Sequence, residues 1–236
     1  MITLPIHNSS EVYTVQPTKI ICLGLNYRDH IGESISVKIA GADTSDPPEP
    51  VLFPKTPNVL VGPGETIVLP AIADGYAFEE PRTDYEAELA VIIGRDCKNV
   101  AEADAMGVVF GFTCMNDVSQ RNIQNGDRAG WFRGKSFDTF GPIGPVVVRT
   151  ADIGDAQNLS IRCRLNGKVV QDSNTRNMIF SVNQMVSFIS ANFTLRAGDI
   201  IMTGTPSGVG PIKDGDTVEV EIEKIGVLTN PVRTER

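Results

Sequence analysis

Aromatic residues are scarce in this sequence, 6% of 236 residues with a single Trp, while Gly (22) and Pro (15) are frequent. That balance disfavours long helices and predicts many turns joining short strands. Basic clusters are also missing: 21 Lys and Arg stand against 29 Asp and Glu, a net charge of -8. Without a basic footprint the chain is a poor partner for nucleic acid or for an anionic membrane surface. No apolar run approaches the ~20 residues of a membrane span. The four cysteines, Cys22, Cys97, Cys114 and Cys163, form no CxxC pair, and no apolar signal segment opens the chain. They are expected as reduced thiols used for packing in a cytoplasmic protein. No internal repeat or low-complexity tract is evident.

With 41% hydrophobic and 21% charged residues, the chain has the make-up of a globular domain with one large core or two small ones. KIICLGLNY (19–27) reads as a buried strand ending at a glycine bend, and VVFGFTCMND (108–117) as a strand ending in an acid. VLFPKTPNVLVGPGETIVLP (51–70) carries two short β runs with the punctuation of a hairpin. A short helix is expected over 99–107, capped by Asn99 and stopped by Gly107. A longer amphipathic helix starts near Ser181, where Ser181 and Gln184 have capping-box spacing and Val182, Met185, Val186 and Ile189 share one face. That face is read as core packing. DIIMTGTPSGVG (199–210) reads as a strand entering a glycine-rich loop, which lacks the Gly-Lys-Ser/Thr ending of a phosphate-binding P-loop.

The informative anomaly is DYEAELAVIIG (84–94). Asp84, Glu86 and Glu88 alternate, so a strand aims all three at one face. In TVEVEIEKIG (217–226) Glu219, Glu221 and Glu223 alternate too, but with Val218, Val220 and Ile222 between them, the pattern of one wet and one dry face. After Glu88 that alternation stops, because Ala90 and Ile92 continue the acidic face. The acids therefore sit at the rim of a region buried on both sides, where they need a cation. Carboxylates without nearby His or Cys suit a hard ion, Mg²⁺ or Mn²⁺ with Ca²⁺ admissible, and Asp117 is the third ligand by character. A solvated strand face is the competing reading of the E-x-E pair alone.

GLNYRDHIGE, the PVLF/NVLVGPGETIVLP segment, DYEAELAVIIGR, FGFTCMNDVSQRNIQ, GKSFDTFGPIGP, NGKVVQDSNTRNMIFSV and GDIIMTGTPSGVG follow one another in the order of the fumarylacetoacetate hydrolase superfamily, which the chain resembles over about residues 17–232. The resemblance implies a β-rich α+β roll of mixed sheets with few short helices. It implies an N-terminal extension, 1–16, before a catalytic domain, 17–236, and a homodimer. It implies Glu86, Glu88 and Asp117 as ligands of Mg²⁺ or Mn²⁺, Lys135 as the active-site lysine, and Arg121, Gln124 and Thr205 as substrate contacts. His30 and Glu33 match an acid/base pair on a lid; three apart, they would meet across one helical turn. Residues 31–50, loosest in the proline-rich stretch from 34, read as that mobile lid. Asp84 need not bind metal; it is either a wet strand end or an acceptor behind the ligands.

The expected substrate is a small anionic 2-oxo acid, for example acetylpyruvate or fumarylpyruvate. Lys135, Thr205 and Arg121 or Gln124 would orient its anionic groups, and His30 would draw a proton from water for hydrolysis of a C–C bond. Decarboxylation of oxaloacetate or isomerisation of a hydroxymuconate-type diacid uses the same enolate stabilisation without the water. A metal- and dicarboxylate-binding protein with little turnover is the reading from another class.

Overall fold

The computed structural model describes residues 1–33, 45–76, 78–128 and 130–235, with Glu33 placed by its backbone alone. Strand is its main regular structure, about 41% of it, in short pieces joined by the turns that frequent Gly and Pro favour. Seven strands form a mixed central sheet in the order 51–55, 20–24, 200–202, 87–93, 109–116, 141–149, 60–61. Ile20–Gly24 runs parallel to Ile200–Met202, and Leu60–Val61 parallel to Gly141–Arg149, while the remaining pairs are antiparallel. Five more strands, ordered 168–174, 160–165, 217–222, 226–234, 67–69, form a second sheet. Together they make the curled β-rich roll of the fold class expected above.

Burial separates the two acidic strands as the residue pattern requires. In Thr217–Ile222, Val218, Val220 and Ile222 are buried and the intervening Glu219 and Glu221 are half-exposed. In Ala87–Ile93 every residue is buried, because the strand lies inside the sheet with both faces covered. Residues Ile2–Pro5 and Val12–Val15 pair as a hairpin, and Leu4 and Val15 pack into the main core.

Helices are short among the described residues. Val182–Asn192 has the full capping box at Ser181 and Gln184, and its buried residues are the apolar set read from the sequence together with Ser190. The helix expected at 99–107 is instead a 3-10 segment, Glu102–Val108, preceded by Ala101. Asn99 adopts a left-handed conformation, φ 51°, with its N–H on the Ser190 carbonyl, so it makes a turn rather than a cap. The 51–70 segment is not a hairpin either. Val51–Lys55 pairs with Ile20–Gly24, and Ile67–Leu69 joins the second sheet beside Gly226–Thr234. Turn residues punctuate a chain but do not choose strand partners. Of the lid segment, 34–44 lie outside the described residues, as does the Glu33 side chain. Asp46, just beyond, forms an exposed bidentate pair with Arg28. All four cysteines are free, and no described helix is long and apolar enough to cross a membrane.

Candidate active site

Glu86 occupies the single residue between the strands Thr83–Tyr85 and Ala87–Ile93, where the chain leaves a small three-stranded sheet for the central one. Its N–H donates to Asn116 Oδ1 at 2.9 Å, and its carbonyl accepts the Asp117 N–H at 2.9 Å. Ala87 faces Asn116 in the strand register, so Glu86 and Asp117 emerge side by side from the ends of two paired strands. Glu88 follows on the face of Glu86. A carboxylate oxygen from each of the three lies within 4.8 Å of the others, and all three residues are buried. Like charges so arranged repel unless cations intervene.

Three buried cations do so, unequally. Lys135 Nζ bridges Glu86 Oε2 at 2.8 Å and Asp117 Oδ2 at 2.6 Å. Lys55 Nζ donates to Asp117 Oδ1 at 2.6 Å and to the Val118 carbonyl at 3.2 Å. The Arg121 guanidinium reaches Asp84 at 2.8 Å, Glu86, and Gln124 Oε1 at 3.0 Å. Glu88 has no ion pair among the described residues and receives only the Gly204 N–H, at 2.8 Å.

The electrostatic consequences follow. Burial works to raise the Glu86 carboxyl, but Arg121, Lys135 and His30 outweigh it and hold its pKa well below the ordinary range. Burial, with repulsion from Asp117 and Glu86, pushes the Glu88 carboxyl well up. Burial opposes charge on Lys135, yet Asp117 and Glu86 raise its pKa and keep it an ammonium. The Tyr27 hydroxyl, buried without a hydrogen-bond partner in the described structure, is pushed up by burial and then by Glu88. One further cation beside Glu88 would relieve both groups. An oxygen-only donor set with one uncompensated carboxylate fits a hard divalent ion.

Asp84 is fully buried and is not a wet strand end. It accepts from Arg82 at 2.7 Å and from Arg121, standing behind Glu86 as the acceptor that fixes Arg121. Arg121 and Gln124 lie on Arg121–Gly126, whose first turn is capped by the Gln120 side chain. Lys135 closes the four-residue helix Phe132–Lys135. That helix reaches the triad because Gly134 lies against the first one: a Cβ there would stand 2.6 Å from Gln124 N. Thr205 donates to the Ala87 carbonyl at 2.9 Å and accepts from Gln171 at 2.9 Å, so the glycine loop runs along the start of the acidic strand. His30, on the helix Arg28–Glu33, is buried, with its N–H on the Tyr27 carbonyl.

His30, Glu86, Glu88, Arg121, Gln124, Lys135 and Thr205 thus line one pocket with Leu23, Gly24, Leu25, Phe53 and Trp131. Asp117 lies beneath it. Sequence reasoning missed Lys55, Gln171 and the apolar wall. Lys55 has one faint signal: in VLFPK it is in phase with Phe53, the buried side of the strand. Gln171, which joins Ala87 N–H, Thr205 and the Pro206 carbonyl, has none.

The family description "Fumarylacetoacetate (FAA) hydrolase C-terminal" matches residues 19–233. The chain belongs to the fumarylacetoacetate hydrolase family. Across 224 residues it is 42% identical to the mitochondrial oxaloacetate tautomerase Fahd2a of Rattus norvegicus, covering 92% of this chain and 67% of that one. The solved 5-carboxymethyl-2-hydroxymuconate delta-isomerase from Mycobacterium smegmatis superposes with a TM-score of 0.79 at 40% identity, over 94% of this chain and 78% of the other. Fumarylpyruvate hydrolase from Pseudomonas aeruginosa, in complex with Mn²⁺ and pyruvate, superposes with a TM-score of 0.82 at 30% identity, over 99% and 96%. This member of the fumarylacetoacetate hydrolase family therefore combines an enzyme fold with an acidic triad able to hold a metal.

Proposed function

We propose that this protein is a Mg²⁺- or Mn²⁺-dependent enzyme that interconverts the keto and enol forms of a small 2-oxo diacid of the oxaloacetate type. The observation that carries the reading is the uncompensated Glu88 beside Glu86 and Asp117 in a small pocket with a buried ammonium. The 42% identity to an oxaloacetate tautomerase supports the choice of reaction. A divalent ion held by Glu86, Glu88 and Asp117 would supply Lewis-acid polarisation of the 2-oxo group.

The protein's own groups supply the rest. Lys135, kept charged by Asp117 and Glu86, stabilises negative charge developing on the substrate's 2-oxygen. Thr205 and Gln124 line the positions for its carboxylates, while Arg121 serves mainly to hold Glu86 and Gln124 in place. His30 removes the proton from C3 of the keto form; the electron pair becomes the C2=C3 bond, and a proton from solvent completes the enol. Decarboxylation would break the C3–carboxylate bond with the same electron flow.

Acylpyruvate hydrolysis is the second reading, favoured by His30 in the pocket wall and by the fumarylpyruvate hydrolase likeness. There His30 would take the proton from water for attack on the distal carbonyl. Oxaloacetate tautomerisation and decarboxylation, acetylpyruvate and fumarylpyruvate cleavage and muconate isomerisation should be assayed with Mg²⁺ and with Mn²⁺. Tautomerisation fastest, and lost in His30→Ala, is the expected result. Faster acylpyruvate cleavage would transfer the assignment to hydrolysis, and oxalate binding with no turnover anywhere would leave a binding protein.

A further inference from the structure

Trp131, the single tryptophan of the chain, has no part in the chemistry above, yet the local structure is arranged around it. Its ring packs edge-on against Phe53, with centroids 5.3 Å apart at 67°. A Cβ on Gly24 would stand 2.5 Å from the Trp131 ring. Gly24 ends a regular strand and is outside the left-handed region, so the ring, not the backbone, accounts for glycine there. Leu25, the next residue, has φ +57°, a conformation strained for a bulky side chain. Asn26 holds it there through bonds to the Thr203 carbonyl at 2.8 Å, the Phe180 carbonyl at 3.2 Å and the Phe180 N–H at 2.8 Å.

The result is a dry wall of Gly24, Leu25, Phe53 and Trp131 lining the pocket whose floor is Glu86, Glu88 and Lys135. Interiors are close-packed, and a wall seated on a glycine and a strained leucine has little room to retreat.

The geometry points to Trp131, seated by Gly24, as the specificity-determining residue that limits the length of the group carried beyond the 2-oxo acid head. Short 2-oxo acids fit; those with extended acyl tails meet the indole. The inference rests on the reading above that the 2-oxo acid head is held by a divalent ion on Glu86, Glu88 and Asp117 together with Lys135.

Binding alone tests it. Calorimetry on the Mg²⁺-loaded protein would use oxalate, 2-oxobutyrate and 2-oxohexanoate, and oxalate binding should also shift the Trp131 fluorescence. Wild type should bind 2-oxohexanoate about tenfold or more weaker than 2-oxobutyrate, whereas Trp131→Ala should bind the two within about threefold. Oxalate affinity should be the same in both. Gly24→Ala should alter the emission without ligand and change the selectivity. Trp131→Leu gives the same reading if the alanine variant does not fold. Oxalate binding with the wild-type ladder retained in the Trp131 variants would overturn the wall alone. No oxalate binding to wild type would overturn the head-group reading and the wall with it.

Discussion

Glu86 and Glu88 belong to one x-E-x-E run but differ in how the protein neutralises them. Glu86 is gripped by Arg121 and Lys135; Glu88 has a single backbone N–H. Removing one partner of a buried pair strands the other charge. Glu86→Gln should therefore destabilise the metal-free protein by about 3 to 5 kcal/mol, measured by urea unfolding in EDTA. Glu88→Gln should leave it unchanged or more stable, because it removes a charge with no partner. Both should lose divalent-ion affinity, by more than about 100-fold in calorimetry. If Glu86→Gln retains full affinity, the triad does not hold the metal. Lys55 is as buried as Asp117, so Lys55→Met should cost a similar amount, although only its phase with Phe53 marks it in the sequence.

At the scale of elements, side-chain hydrogen bonds fix the start of a paired strand and the start of a helix. Asp199 accepts the Thr18 N–H at 3.0 Å, the Thr18 hydroxyl at 2.7 Å, the Lys19 ammonium and the Arg196 N–H at 2.7 Å, tying the start of the strand Ile200–Met202 to that of Ile20–Gly24. Burial raises its carboxyl, but hydrogen bonds from Lys19, Thr18 and Arg196 outweigh burial and lower its pKa. A carboxyl whose folded pKa lies below its unfolded one, about 3.9, contributes stability at higher pH and loses it as pH falls through that window. Acid unfolding below about pH 4 should thus be steeper in wild type than in Asp199→Asn, which should be the less stable at neutral pH. A steeper profile in the variant would contradict this account. The capping box is the second case: Ser181→Ala should cost about 1 kcal/mol in thermal unfolding. The box was legible because both partners lie within four residues. The hairpin expected at 51–70 failed because its strands bond to segments elsewhere in the chain.

Across the whole molecule, the acids, the lysines and the strained turn at Leu25 converge where the central sheet meets the small sheet of Thr83–Tyr85. Glu88, buried beside two other carboxylates with no ion pair of its own among the described residues, couples metal binding to folding. Mg²⁺ or Mn²⁺ at about 100 times its dissociation constant should stabilise the protein by about 2.7 kcal/mol. That corresponds to a rise of about 5 to 10 °C in Tm for a chain of this size, reversed by EDTA. No rise with either ion would argue against an intact site in the free protein.

Local physics let the sequence by itself determine the strand-rich composition, the two-faced burial of Ala87–Ile93 against the one-faced Thr217–Ile222, the helix cap at Ser181 and the acidic triad as a candidate. Periodicity and capping act over a few residues, and ordered motifs carried the resemblance. Tertiary structure alone decided that Asp84 is buried behind Arg121, that Lys55 crosses 62 positions of sequence to reach Asp117, that Gln171 buttresses the Thr205 loop, and that Gly24 makes room for Trp131. These are contacts between segments far apart in the chain, set by which strands pair and how closely they pack, and no local pattern encodes them.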